Sequence, residues 1–86
     1  MTVKININMM KEFGAIVQFH RKQAGLSRVS LADIAGVGKT AIYDIENGKD
    51  TVRLNTLLKV LDTINISVSI DSPLMAQFKA GDNAES

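Results

Sequence analysis

Gly38-Lys39-Thr40 is the run in this chain with the most recognisable chemistry. A glycine, a lysine and a small hydroxyl in that order close a phosphate-binding loop. There, backbone N–H groups and the lysine cradle phosphate, and the hydroxyl reaches a magnesium ion. The full pattern is G-x-x-x-x-G-K-[ST], placed between a strand and a helix. Counting back from Gly38, the first glycine should stand at residue 33, which is Asp33. The residues before Gly38 have helical rather than strand spacing, and 86 residues are too few for the usual α/β nucleotide domain. The nucleotide reading is set aside. Other reactive groups are scarce. His20 is the only histidine and there is no cysteine, so neither a metal set nor a Ser/His/Asp arrangement is expected, and no cofactor is implied.

The elements around this run decide what it does. Met9, Phe13, Ile16, Val17, His20 and Ala24 recur at helical spacing, which predicts a first helix over residues 9–24 with Asn8 as N-cap and Gly25 as its left-handed stop. Ser27 can cap a second helix carrying Val29, Leu31, Ala32, Ile34 and Ala35, ended by Gly36. Val37 fills the corner, Gly38 caps a third helix, and Asn47-Gly48 stops it near Glu46. Ala41, Ile42 and Ile45 form the buried stripe of that helix. A fourth helix is predicted over residues 55–63, with Leu54, Leu57, Leu58, Leu61 and Ile64 inward. Ile66-Ser67-Val68-Ser69-Ile70 then alternates strictly, as a half-buried strand does. Beyond residue 73 periodicity is lost, and the end reads as a frayed tail, with Met75 and Phe78 as the alternative docking point for a partner.

Composition bounds the function. Hydrophobic residues make up 45% of the chain, enough for a small packed core. No apolar run approaches a membrane span, and no signal peptide is expected from MTVKININMM. The absence of cysteine fits a reducing, cytoplasmic setting. Net charge is only +1, but residues 1–70 hold nine of the ten basic side chains and six of the nine acidic ones. The folded part is thus more basic than the whole, a weak electrostatic pointer to nucleic acid.

Two short helices joined by Gly36-Val37-Gly38 match a helix-turn-helix, in which the second helix enters the major groove of DNA. With Ile42 and Ile45 buried, Lys39, Thr40, Tyr43 and Asp44 lie on the outer face of the third helix, near its start. Lys39 can donate to guanine O6 or N7, and Thr40 can hydrogen-bond or touch a thymine methyl. Tyr43 can stack on sugar or methyl groups, or bond a phosphate. Asp44 either accepts from a cytosine N4 amino group or is a solvated or cation-paired position, and both readings stand.

The stretch LSRVSLADIAGVGKTAIYDIENGK closely resembles the Cro/C1-type (XRE) helix-turn-helix family of phage repressors and bacterial regulators, over about residues 12–65. The resemblance implies a mainly α, four-helix, lambda-repressor-like domain and no enzymatic activity. It implies a structural ion pair between Arg21 and Glu46, and phosphate contacts from Ser27, Arg28, Asn47 and Lys49. Arg28 stands where glutamine is common, which should strengthen backbone binding without adding specificity. Gly38 stands where serine is common. The run NGKDTVRLNTLLKVLDTINISVSI further resembles the C-terminal half of HipB-type antitoxins. That likeness implies a homodimer on palindromic operators and a HipA-type serine/threonine kinase toxin as partner.

The resulting organisation is an N-terminal arm (1–8), a DNA-binding domain (9–65), a dimerisation strand (66–71) carrying Ile66, Val68 and Ile70, and a flexible tail (72–86). The strand needs a partner for its backbone groups. Val3–Ile7 of the same chain could serve. The same strand of a second subunit is the expected one, because DNA readers of this size usually work as symmetric dimers. The alternative function is a generic XRE-family regulator, or a protein-binding module, without a cognate kinase toxin.

Overall fold

Caps and left-handed stops cut the chain into helices at the places its composition marks. In the computed structural model, which describes residues 1–78, α1 spans Met10–Gln23, α2 Arg28–Ala35, α3 Lys39–Glu46 and α4 Leu54–Thr63. A 3-10 turn at Ile7–Met9 leads into α1, and another lies at Met75–Gln77. The second turn falls within the predicted tail, and residues 79–86 lie outside the described residues.

Ser27 caps α2 by accepting from the Ser30 backbone N–H at 3.0 Å. Asn8 is not the cap of α1. Asn6 accepts from the Asn8 N–H at 2.9 Å and caps the 3-10 turn, and α1 starts from Met9 without a side-chain cap. The four helices end alike. A residue with positive φ (Gly25, Gly36, Gly48 or Asn65) follows each one. The next backbone N–H reaches back to close the end: Leu26 to Arg21, Val37 to Ala32, Lys49 to Asp44 and Ile66 to Leu61, at 2.9–3.1 Å. This is the Schellman arrangement, and it satisfies carbonyls that the helix leaves free. Leu26, Val37 and Ile66 turn back onto the core, whereas Lys49 is exposed.

The core comprises Phe13, Val17, Leu31, Ala32, Ile42, Ile45, Val60, Leu61 and Ile64. At about 1.5–3 kcal/mol for each large side chain removed from water, these few residues supply most of the drive to fold. α3 packs against α1, α2 and α4, with Ile42 and Ile45 turned inward. Two expectations for buried positions fail. Leu54 and Leu58 are exposed, and Val60 is buried in their place. The inward stripe of α4 is Leu57–Val60–Leu61–Ile64, a regular i, i+3, i+4, i+7 face, and Leu54 and Leu58 fall together on its flank. Ala24 is exposed because it lies at the C-cap of α1, beyond the packed turns. Residues 66–70 form no strand ladder among the described residues. Ile66 rests on the core, Val68 and Ile70 are exposed, and Val3–Ile7 forms no ladder with them.

One contact is made by backbone on backbone. A Cβ on Gly14 of α1 would lie 2.5 Å from the carbonyl oxygens of both Ile45 and Glu46. Glycine here lets α1 and the end of α3 approach more closely than any other residue allows. Gly14→Ala should destabilise the fold by about 1–3 kcal/mol through overpacking, despite alanine's better helix propensity. Urea denaturation measures this, and an unchanged midpoint would mean that α1 can move off α3 freely.

Candidate nucleic-acid interface

The outer face of α3 begins at a turn that leaves it uncrowded. Gly36 takes φ 76°, Val37 packs inward, and Gly38 is the extended N-cap of α3 without a side-chain cap bond. Lys39, Thr40 and Tyr43 are exposed along the first turn and a half. Lys39 is a cation at the positive end of a helix dipole, with no salt-bridge partner among the described residues. That placement is unfavourable for the isolated domain and suits an anionic partner. Asp44 is half-buried and lies 3.5 Å from Lys49 Nζ, so two expected contact residues are turned toward each other.

The remaining expected contact residues are engaged by neighbours within the domain. The Ser27 hydroxyl is engaged at the start of α2, where it also donates to Ser30 Oγ at 3.0 Å. Asn47 Nδ2 donates to the Tyr43 carbonyl at 2.7 Å, which holds the end of α3. Arg28 is only partly a surface cation. Its Nε donates to Glu46 Oε1 at 3.0 Å, and its guanidinium carbon lies 5.5 Å from the centroid of the Tyr43 ring. Both contacts are missed by reading Arg28 as a helix-start cation, because its partners stand 15 and 18 positions away in the chain.

Glu46 is the hub behind the face. Its side chain is 1% exposed and accepts from Nε and Nη2 of Arg21, the latter at 3.1 Å, as well as from Arg28. Gln18 Nε2 adds a fourth donor at 3.4 Å. Arg21 Nη1 also donates to the Leu26 carbonyl at 2.9 Å, tying down the α1–α2 loop. One carboxylate thus joins the end of α1, the start of α2 and the end of α3. A carboxylate at a helix C-terminus and an arginine at a helix N-terminus each oppose their own helix dipole. Pairing Glu46 with Arg28 neutralises both mismatches. Burial pushes the Glu46 carboxyl up, but the hydrogen bonds and charges of Arg21 and Arg28 outweigh it and hold the group below its ordinary value.

A family model described as helix-turn-helix matches residues 19–70. An uncharacterized HTH-type transcriptional regulator, y4mF of Sinorhizobium fredii, is 40% identical over 62 residues, spanning 72% of this chain and 82% of its own. The ImmF control region 10 kDa protein of Bacillus phage phi105 is 30% identical over 60 residues, spanning 70% of this chain and 67% of its own. Among solved structures, the HipA-HipB-O2-O3 complex contains a chain with TM-score 0.69 and 20% identity, covering 85% of this chain and 99% of that one. At that identity the likeness is one of fold. The restriction-modification controller protein C.AhdI from Aeromonas hydrophila gives TM-score 0.63 at 27% identity, over 70% of this chain and 91% of that one.

The lowered Glu46 carboxyl has a definite pH signature. Its folded value lies below the unfolded one, so its contribution is fully present above about 4.5 and is lost as pH falls through the lowered value. Glu46→Gln should remove that acid-limb dependence in urea denaturation and, at neutral pH, destabilise by roughly 3–5 kcal/mol by leaving a buried arginine unpaired. Arg21→Met should do less harm, since Arg28 and Gln18 still serve the carboxylate. The reverse order would mean that Glu46 is not the hub. With its fold, the matched segment and the two relatives in agreement, the chain belongs to the Cro/C1-type (XRE) helix-turn-helix family of DNA-binding transcriptional regulators.

Proposed function

We propose that this protein is a sequence-specific transcriptional repressor that binds palindromic operators as a homodimer, with α3 in the major groove. The observation that carries the reading is the outer face of α3: Lys39, Thr40 and Tyr43 are exposed on a helix whose other side is buried by Ile42 and Ile45. Lys39 and Thr40 read base edges, and Tyr43 packs against sugar or methyl groups. Asp44 contributes only if its contact with Lys49 opens, so its base-reading role is the secondary one. Ser27, Arg28, Asn47 and Lys49 border the face and supply backbone contacts, from main-chain groups where their side chains are engaged.

The dimer uses residues 66–71. Supporting this, Val68 and Ile70 are exposed beyond α4, Val68 lines an open groove with the exposed Leu58, and the segment's alternation leaves a ladder edge for its symmetry mate. We further infer that the repressor is the antitoxin of a HipA-type serine/threonine kinase. The fold likeness to the HipB chain of a HipA-HipB complex supports that partner. The alternative is a regulator of the same family, or a protein-binding module, with no cognate kinase.

In vitro selection from a duplex library with a randomised window of about 20 base pairs, enough for two half-sites one helical turn apart, tests the first claim. Lys39→Ala and Thr40→Ala should each lose preference for the selected duplex by roughly 1–3 kcal/mol while keeping non-specific binding. Full selectivity in both variants would remove α3 as the reader. For the dimer, Val68→Pro should weaken association in analytical ultracentrifugation, and an unchanged dimer mass would exclude the ladder. Co-purification with a kinase encoded beside this gene, retained in the Lys39→Ala variant, would support the antitoxin reading. Its absence would return the function to the alternative.

A further inference from the structure

We propose that Arg28 is a positioning residue for DNA recognition: held by Glu46, it fixes the ring of Tyr43 on the reading face of α3, so that it sets specificity as well as affinity. The proposal rests on the DNA-binding reading above. It departs from the expectation that Arg28 is simply a phosphate contact.

Three features of the geometry point this way. First, the Arg28 guanidinium is anchored by a carboxylate that is itself nearly fully buried, through a 3.0 Å bond to Oε1. Glu46 is in turn fixed by Arg21 and Gln18, so the anchor is rigid. Second, the guanidinium lies 5.5 Å from the Tyr43 ring centroid, within the range of a cation–π contact. Tyr43 is 54% exposed, and a large half-exposed ring on a helix surface would otherwise sample several rotamers. Third, Arg28 opens α2, where a cation opposes the helix dipole, and the Glu46 carboxylate offsets that mismatch and so favours the anchored position. A planar guanidinium can donate through Nε and present its face to an aromatic ring at the same time, whereas lysine, a point charge on a flexible stem, cannot.

That difference supplies the test. Tyr43 is the only tyrosine, and the chain has no tryptophan, so its ring can be followed by NMR without ambiguity. In the free protein, the wild type should show Overhauser contacts between the Tyr43 ring and the Arg28 side chain, and Arg28→Lys should shift the Tyr43 ring resonances. An unmoved ring would overturn the proposal. On DNA, the probes are the selected duplex and its single-base-pair variants. Arg28→Lys keeps the charge but should reduce discrimination at the base step next to Tyr43 by about three- to tenfold, the scale of one cation–π contact. The loss should vanish when Tyr43 is already alanine, as a double-mutant cycle requires of coupled residues. Wild-type discrimination in Arg28→Lys, with Arg28→Ala losing affinity evenly across sequences and about one charge in the salt slope, would make Arg28 a phosphate contact and overturn the proposal. If the wild-type protein bound no duplex selectively, the DNA-binding reading would fail, and the Tyr43 resonances would still decide whether Arg28 holds the ring.

Discussion

The buried carboxylate of Glu46 is the constraint from which the geometry of this domain follows. It is the last residue of α3, yet its donors come from α1 and from the start of α2. A buried ion pair adds little net stability over a well-packed apolar alternative, because desolvation consumes most of the attraction. What it does supply is register. A displacement of α3 along its axis or a rotation about it would break up to four charge-assisted hydrogen bonds and leave charge in a water-excluded place. Apolar packing alone tolerates such slips more readily, since Ile42 and Ile45 could slide within a greasy socket.

The same end of α3 is fixed a second time by Gly14. There α1 meets the last carbonyls of α3 with no side chain between them. Together the two contacts hold the C-terminal end of α3 from two sides, while its N-terminal turn, carrying Lys39 and Thr40, faces outward. The helix ends complete the frame. At three of them the residue after the left-handed stop returns an apolar side chain to the core. At the end of α3 the corresponding residue is Lys49, which pairs with Asp44 of that helix.

Much of this was legible in the residues themselves. Ser27, Gly25, Gly36 and Asn47-Gly48 mark helix ends because capping and left-handed backbone are local properties. The buried stripe of α3 follows from spacing alone. What was not legible depends on partners distant in sequence. Leu54 and Leu58 have the same chemistry as Leu57 and Leu61, and only the docking angle of α4 decides which leucines are covered. Asn8 and Asn6 are equally good caps, and the choice is made by the 3-10 turn that follows. Gly14 left a trace, since a glycine inside a helix is unfavourable by about 1 kcal/mol and calls for a packing reason. The contact of Arg28 with Tyr43 left none, because nothing in either residue's neighbourhood specifies the other.

Gly14 also bears on how such a domain can change over generations. The support of α3 is made of peptide groups and one shared carboxylate, and the exposed Lys39 and Thr40 contribute almost nothing to it. Lys39 and Thr40 can therefore be exchanged for other side chains without repacking the interior. A lineage built on this frame can change the side chains that this face presents through a few surface substitutions while its folding stability stays nearly constant. Tyr43 is the exception, because through Arg28 its ring touches the frame itself. The outer face of α3 is thus divided into two freely variable positions and one that is tied to the architecture.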